Sequence, residues 1–278
     1  MTTAHQAETG QQPPDVEDYW LKGYFAVSVA DVKSATKRVR KGRRKNVDFL
    51  RLRDVALHLL EPRKGRLILD IGCADGATMI YCGLQGASMK GIDLDAKRVE
   101  RANVYMKKYG VDGEATVADA TKLPFPDNHF DAAISSDFFE HVSDEQKTAI
   151  LRETLRVLKP AGTLVTKTPN RNYLELSLLF KRARALLRFE NPMKYVIPET
   201  PGTENPMHIG LTTRTELARC LRDAGFLNYA FFYAPLRRFG ARPIVEMLST
   251  EIPGVRDHLC EDVFCRAYKP IVMSHFGD

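Results

Sequence analysis

Leu67-Ile-Leu-Asp70-Ile-Gly72-Cys-Ala-Asp-Gly76 joins a short continuous apolar run to a glycine-rich turn. A run of that length closed by Gly72 reads as a buried strand of a parallel sheet, and the turn opens a helix near 77–84. Glycine at this place lets a ligand come close to the backbone, because a Cβ at Gly72 would collide with it. The helix that follows presents free N–H groups to an anionic group. The next strand ends in Gly91-Ile-Asp93-Leu-Asp95, with Asp93 placed 21 residues after Gly72. A carboxylate there takes both hydroxyls of a ribose. The two features together predict a ribose-bearing ligand.

Working outward, strand and helix patterns alternate. Strands are predicted at 67–71, 89–94, 114–118, 130–135 and 162–168, with helices at 95–109 and 144–158 between them. A helix at 213–224 leads to strand 227–233, and Val263–Tyr268 reads as a last strand. Such alternation means βαβ units and a sheet covered on both faces, with ligands bound beyond the carboxyl ends of the strands. Residues 1–15 are polar and aperiodic and read as a disordered tail. Residues 16–64 read as an N-terminal helical cap. Residues 65–278 form the main domain, interrupted by an insertion at 169–208.

The chain has 278 residues, 44% hydrophobic and 27% charged, which excludes collagen-like, coiled-coil and wholly disordered classes. Its net charge of +6 is local. Residues 1–66 hold 14 Lys/Arg against 8 Asp/Glu, whereas the remainder is balanced at 27 against 27. Eight of the basic residues fall in Lys33–Lys45, which has no acid. That run is either a solvated face beside the cap or a contact for a phosphate-bearing or acidic acceptor. Five cysteines, without a Cys-x-x-Cys pair or zinc-finger histidines, give neither a disulfide framework nor a structural metal site. No apolar stretch approaches the roughly 18 residues of a membrane span, and no signal peptide is read. A cytoplasmic location is expected.

The turn also discriminates among ribose-bearing ligands. Ala74 stands at the second glycine position, so the close approach a pyrophosphate needs is missing. Asp70 is poorly placed beside phosphates but well placed to orient an ammonium group. A ligand with an amino-acid end fits better. Further pieces follow in order: Val117-Ala-Asp119-Ala-Thr-Lys-Leu-Pro-Phe-Pro126, Phe130-Asp-Ala-Ala-Ile-Ser-Ser136, Phe139-Glu-His-Val142, Arg156-Val-Leu-Lys-Pro-Ala-Gly-Thr-Leu164, and His208-Ile-Gly-Leu-Thr212 leading to Ala224-Gly-Phe226. In these pieces residues 65–233 resemble the class I S-adenosylmethionine-dependent methyltransferases. The likeness is to the small-molecule, type 11 branch that includes quinone-biosynthesis enzymes.

The resemblance implies an α/β, Rossmann-like sheet of seven mostly parallel strands with the last antiparallel, and S-adenosylmethionine as cofactor. Gly72, Cys73, Ala74 and Gly76 would line its methionine end, with Asp70 orienting it. Asp93 would bind the ribose and Leu94 the adenine. Asp119 would accept from the adenine amino group, Ala120 would offer a backbone N–H, and Ser136 would lie near the sulfonium. Cys73 reads equally well as a packing residue, and not as a nucleophile.

Methyl transfer from a sulfonium is an in-line displacement whose main demand is alignment. It needs no metal, and a base only if the acceptor must lose a proton. His141 is the first candidate for that base and His208 the second, with a loop-fixing role for His141 as the alternative. The expected reaction is methylation of an oxygen or nitrogen of a small molecule, in specialised metabolism. Methylation of carbon on a quinone-like or lipid acceptor, and methylation of RNA or another phosphate-bearing substrate, stay open. A nucleic-acid substrate is disfavoured because Ser136-Asp-Phe-Phe139 stands where base-nitrogen enzymes carry Asn-Pro-Pro-Tyr. A pure binding module and a nicotinamide-dependent oxidoreductase are the remaining rivals; the second leaves Asp119 and Arg156-Val-Leu-Lys-Pro unexplained. The insertion interleaves leucines and phenylalanines with Lys181, Arg182, Arg184 and Arg188. It reads as a lid over an apolar acceptor, as attachment to an anionic membrane surface, or as a packed helix with a solvated basic face. Oligomerisation is left open.

Overall fold

The computed structural model describes residues 55–204, 206–233 and 250–271, all within one compact unit, Arg51–Asp278. The expected tail, the basic run at 33–45 and the helical cap up to residue 54 lie outside the described residues. The end of the cap, residues 55–60, is helical, and Leu60 is fully buried.

Seven strands form one sheet: β1 (Leu67–Ile71), β2 (Ser88–Asp93), β3 (Gly113–Val117), β4 (Phe130–Ser136), β5 (Leu158–Pro169), β6 (Asn228–Phe232) and β7 (Asp262–Tyr268). Their spatial order is β3-β2-β1-β4-β5-β7-β6. The first five pair in parallel, and β7 runs antiparallel to both β5 and β6. Between β1 and β4 the strand order reverses. The carboxyl ends of β1, β2, β3 and β4 therefore share one edge of the sheet, the place where open α/β sheets bind their ligands.

Among the described residues, the helices beyond residues 55–60 are α1 (Ala77–Leu84), α2 (Ala96–Tyr109), α3 (Asp144–Val157), α4 (Arg171–Leu187), α5 (Arg214–Ala224) and a short α6 (Val255–Leu259). Their limits follow from side-chain chemistry. Asp95 caps α2 by accepting from the Lys97 and Arg98 N–H groups, and Gly110 ends it in the left-handed region. Capping boxes open α3 (Ser143 with Gln146) and α5 (Thr213 with Glu216). Both helices bury one face, with Ile150, Leu151 and Val157 on α3 and Leu217, Cys220 and Leu221 on α5. These meet Leu69, Ile71, Ala133 and Leu164 in one apolar cluster. By the two-residue period of β1, Ile68 and Asp70 fall on the opposite face.

Most expected elements lie within a residue or two of their predicted limits. β5 differs, because pairing starts at Leu158 and not at 162. Phe130 faces Leu158 while Ala132 already faces Thr163, so Lys159-Pro-Ala-Gly162 forms an irregularity inside a longer strand. Ala161 there has φ of 61°. Pro160 and Gly162 punctuate the sequence like a turn, yet their backbone serves a bulge.

Candidate active site

The turn after β1 is built from left-handed residues: Gly72 (φ 74°), Ala74 (φ 47°) and Gly76 (φ 81°). Ala74 occupies this region at a cost of about 1 kcal/mol. The N–H groups of Gly72 and Cys73 both donate to the Ile92 carbonyl at 2.9 Å, which ties the turn to β2. A Cβ at Gly72 would lie 2.5 Å from the Phe138 ring, so the group that demands glycine here is a side chain of the protein. Gly76 is glycine because Ala102 of α2 would stand 2.9 Å from its Cβ. Cys73 is buried against Gly91, and burial with Asp70 and Asp93 nearby pushes its thiol far up. Its side chain is taken up in packing.

Asp70 is 3% exposed, and among the described residues no hydrogen bond reaches its carboxyl. Burial first, then the charge of Asp93, raises its pKa from 3.8 to about 7. Asp93 closes β2 with a different environment. Its Oδ2 accepts from the Ala74 N–H and its Oδ1 from the Asp95 N–H, each at 2.9 Å. Each oxygen keeps a lone pair for a further donor. Next to it Leu94 is 71% exposed, and Val117 at the end of β3 is exposed as well. Asp119 is exposed and accepts from the Thr121 N–H at 2.8 Å, while the Ala120 side chain is buried in the core cluster. Ser136 ends β4, with its hydroxyl 3.4 Å from Asp137 Oδ2. Asp70, Cys73, Ala74 and Asp93 thus lie within reach of one another, while Asp119 and Ala120 follow the end of β3 and Ser136 closes β4.

The second group lies past β4 and β5. His141 Nδ1 is 3.1 Å from the Met207 carbonyl oxygen. A carbonyl only accepts, so Nδ1 carries the hydrogen, and in the neutral form of the ring the lone pair is on Nε2. The His208 ring centroid is 5.1 Å from that of His141, and His208 Nε2 is 3.1 Å from Glu199 Oε2. Desolvation lowers the His208 pKa, partly offset by Glu199. The return segment of the insertion is pinned against the His141 loop: the Gly210 N–H donates to the Glu140 carbonyl at 2.9 Å, and the buried Lys147 ammonium donates to the Gly210 carbonyl at 2.6 Å.

Two residues here escape a reading by sequence. Glu140 is buried, accepts from the Thr168 hydroxyl at 3.1 Å, and has its pKa raised to about 7 by burial and by Asp137. Glu140, His141 and His208 each offer a ligand atom within 4.8 Å of the others, a set able to hold a metal ion. Lys167, near the end of β5, is buried and paired with Asp137 and, at 3.7 Å, with Asp262. Burial alone would lower its pKa, but the Asp262 and Asp137 carboxylates hold it above its ordinary value. The signals were a histidine preceded by Glu140 and a lysine in the buried half of a strand. Neither pattern names its partners.

Strand order, the sheet edge at the order reversal and the paired carboxylates define a class I methyltransferase architecture. A family model described as "Methyltransferase domain" matches residues 68–162. The 27-O-demethylrifamycin SV methyltransferase of Amycolatopsis mediterranei is 37% identical over 117 residues, which cover 41% of this chain and 42% of the relative. The ubiquinone biosynthesis O-methyltransferase of Thiobacillus denitrificans is 30% identical over 166 residues, 59% of this chain and 66% of the relative. A solved S-adenosylmethionine-dependent methyltransferase of Methanosarcina mazei aligns with a TM-score of 0.52 at 25% identity, covering 78% of this chain and 97% of the other. The chain spans less than half the length of the rifamycin relative. It belongs to the class I S-adenosylmethionine-dependent methyltransferases. No helix among the described residues is long and apolar enough to cross a membrane.

Proposed function

We propose that this protein transfers the methyl group of S-adenosylmethionine to an oxygen or nitrogen of a small-molecule acceptor in the cytoplasm. The observation that carries the reading is the pair of carboxylates at the ends of β1 and β2. Asp70 is buried without a hydrogen-bond donor and beside a second negative group, an environment suited to an ammonium cation. Asp93 is fixed by two backbone N–H groups and keeps acceptor capacity for a ribose diol. Leu94 and Val117 offer the exposed apolar surface a purine covers. Gly72, Cys73, Ala74 and Gly76 form the wall at the methionine end through their backbone, Asp119 and the Ala120 N–H address the adenine edge, and Ser136 lies on the sulfur side. When bound, the cofactor supplies an activated methyl on a sulfonium.

The chain's own work is to orient the acceptor and hold its proton. His141 has its tautomer set by Met207, which leaves Nε2 to take a proton from a hydroxyl or a protonated amine. The 169–208 insertion serves as the lid on the acceptor side, and its return segment delivers Met207 and His208. Relatives named 27-O-demethylrifamycin SV methyltransferase and ubiquinone biosynthesis O-methyltransferase support an oxygen acceptor, and one named norajmaline N-methyltransferase, 35% identical over 106 residues, supports nitrogen. Calorimetric titration with S-adenosylmethionine, followed by transfer of tritiated methyl to a panel of phenols and amines, tests the proposal. Saturable binding that Asp93→Ala abolishes without loss of fold is expected. A protein that binds no cofactor, or binds it and labels neither phenols nor amines, refutes it.

A further inference from the structure

Helix α4 turns its apolar face outward. Leu179, Phe180, Ala183, Leu186 and Leu187 recur at three- and four-residue spacing, which is one face of a helix. Leu187 is 84% exposed, and Phe189, just past the helix end, is 99% exposed. Interleaved with them are Lys181, Arg184 and Arg188, none of which makes an ion pair among the described residues. Arg182 differs, since it donates to the Tyr195 carbonyl at 3.0 Å. No acid lies between Glu175 and Glu190. Cations near a helix C-terminus complement its dipole, but that explains neither the leucines nor Phe189.

The charge pattern chooses the occupant. In an apolar groove of a protein the three cations would be stripped of water, and the one carboxylate among the described residues that Arg184 and Arg188 act on, Glu190, is already paired with Lys194. At an anionic bilayer the apolar side chains enter the acyl boundary while the long basic side chains reach up to phosphates. The helix has 17 residues with four bases, which suits lying in the interface and rules out spanning. We propose that α4 and Phe189 dock on the surface of an anionic lipid membrane, with Lys181, Arg184 and Arg188 against the headgroups. This surface stands independently of the methyl-transfer reading. Because α4 follows directly from β5 and its return segment holds His141, docking would bring the acceptor side of the site near the bilayer.

Sedimentation of the full chain with vesicles of equal parts phosphatidylcholine and phosphatidylglycerol tests this, against vesicles of phosphatidylcholine alone. Binding to the mixed vesicles only, weakening with salt, is expected. Each cation near such a surface contributes about fivefold, so changing Lys181, Arg184 and Arg188 together to Gln costs about a hundredfold. Leu187→Ser with Phe189→Ser costs more than about tenfold. All five side chains are exposed, so thermal melting of these variants stays at the parent value. A variant with Arg40, Lys41, Arg43 and Arg44 changed to Gln separates the N-terminal basic run, and it should keep binding. The proposal is overturned if the α4 variants bind as the parent does, or if only the N-terminal variant loses binding. A self-association in sedimentation velocity that the Leu187/Phe189 variant abolishes, with no vesicle binding by the parent, overturns it equally.

Discussion

Asp70 holds a carboxyl in a place that disfavours its charge. Its folded pKa, about 7, lies above its ordinary 3.8, so the fold binds a proton that the unfolded chain releases. This position therefore costs stability progressively as pH rises from about 4 to 7. Asp70→Asn should raise the melting temperature of the cofactor-free protein at pH 7.5 and weaken cofactor binding. Because an ammonium needs the ionised carboxylate, cofactor affinity should fall about tenfold per unit of pH below 7. That dependence should vanish in Asp70→Asn, and calorimetry at several pH values reads it directly. His141→Ala should lower turnover about 10²–10⁴-fold with cofactor affinity unchanged. Chelation by EDTA should leave wild-type turnover intact if Nε2 acts as the base. Loss on chelation, with recovery on adding a divalent cation, would assign Glu140, His141 and His208 to an ion instead. Asp70, Asp93 and His141 could be proposed from the sequence because each stands near the end of a strand or in the loop that follows one. Glu140 and Lys167 were not, since their meaning lies in Thr168, Asp137 and Asp262, which sequence distance hides. Phe138 shows the same limit. Sequence assigned the space at Gly72 to a ligand, whereas an aromatic ring fills it.

At the scale of elements, two glycines fix how loops meet. Gly72→Ala combines a left-handed φ with a 2.5 Å approach to Phe138, and it should destabilise the protein by about 2 kcal/mol or more in urea unfolding. Adding Phe138→Ala should recover only part of that, because the backbone strain remains. Gly210 is tighter still, with a Cβ there only 1.8 Å from the Val142 carbonyl oxygen. Gly210→Ala should push the return segment off the His141 loop and break the Met207 contact. A fall in kcat with cofactor affinity retained would be the signature. The insertion shows why such pinning was hidden, since α4 could be anticipated from its leucine spacing while the attachment of 207–210 to 139–142 depends on packing alone.

For the whole molecule, cofactor binding and stability should be linked. A ligand at 100 times its dissociation constant adds about 2.7 kcal/mol, which for a domain of this size is a rise of about 5–10 °C in melting temperature. S-adenosylmethionine and its demethylated product should both produce it in a thermal melt, and NADH should not. The strand order has a further consequence in time. β6 is made before β7, yet among the described residues its one sheet partner is β7, which sits between it and β5. As the chain leaves the ribosome, β6 has nowhere to pair and the edge of β5 stays open until residues 262–268 emerge. The strands around the cofactor edge can assemble early, but the far side of the sheet waits for β7, the last of these seven strands in sequence.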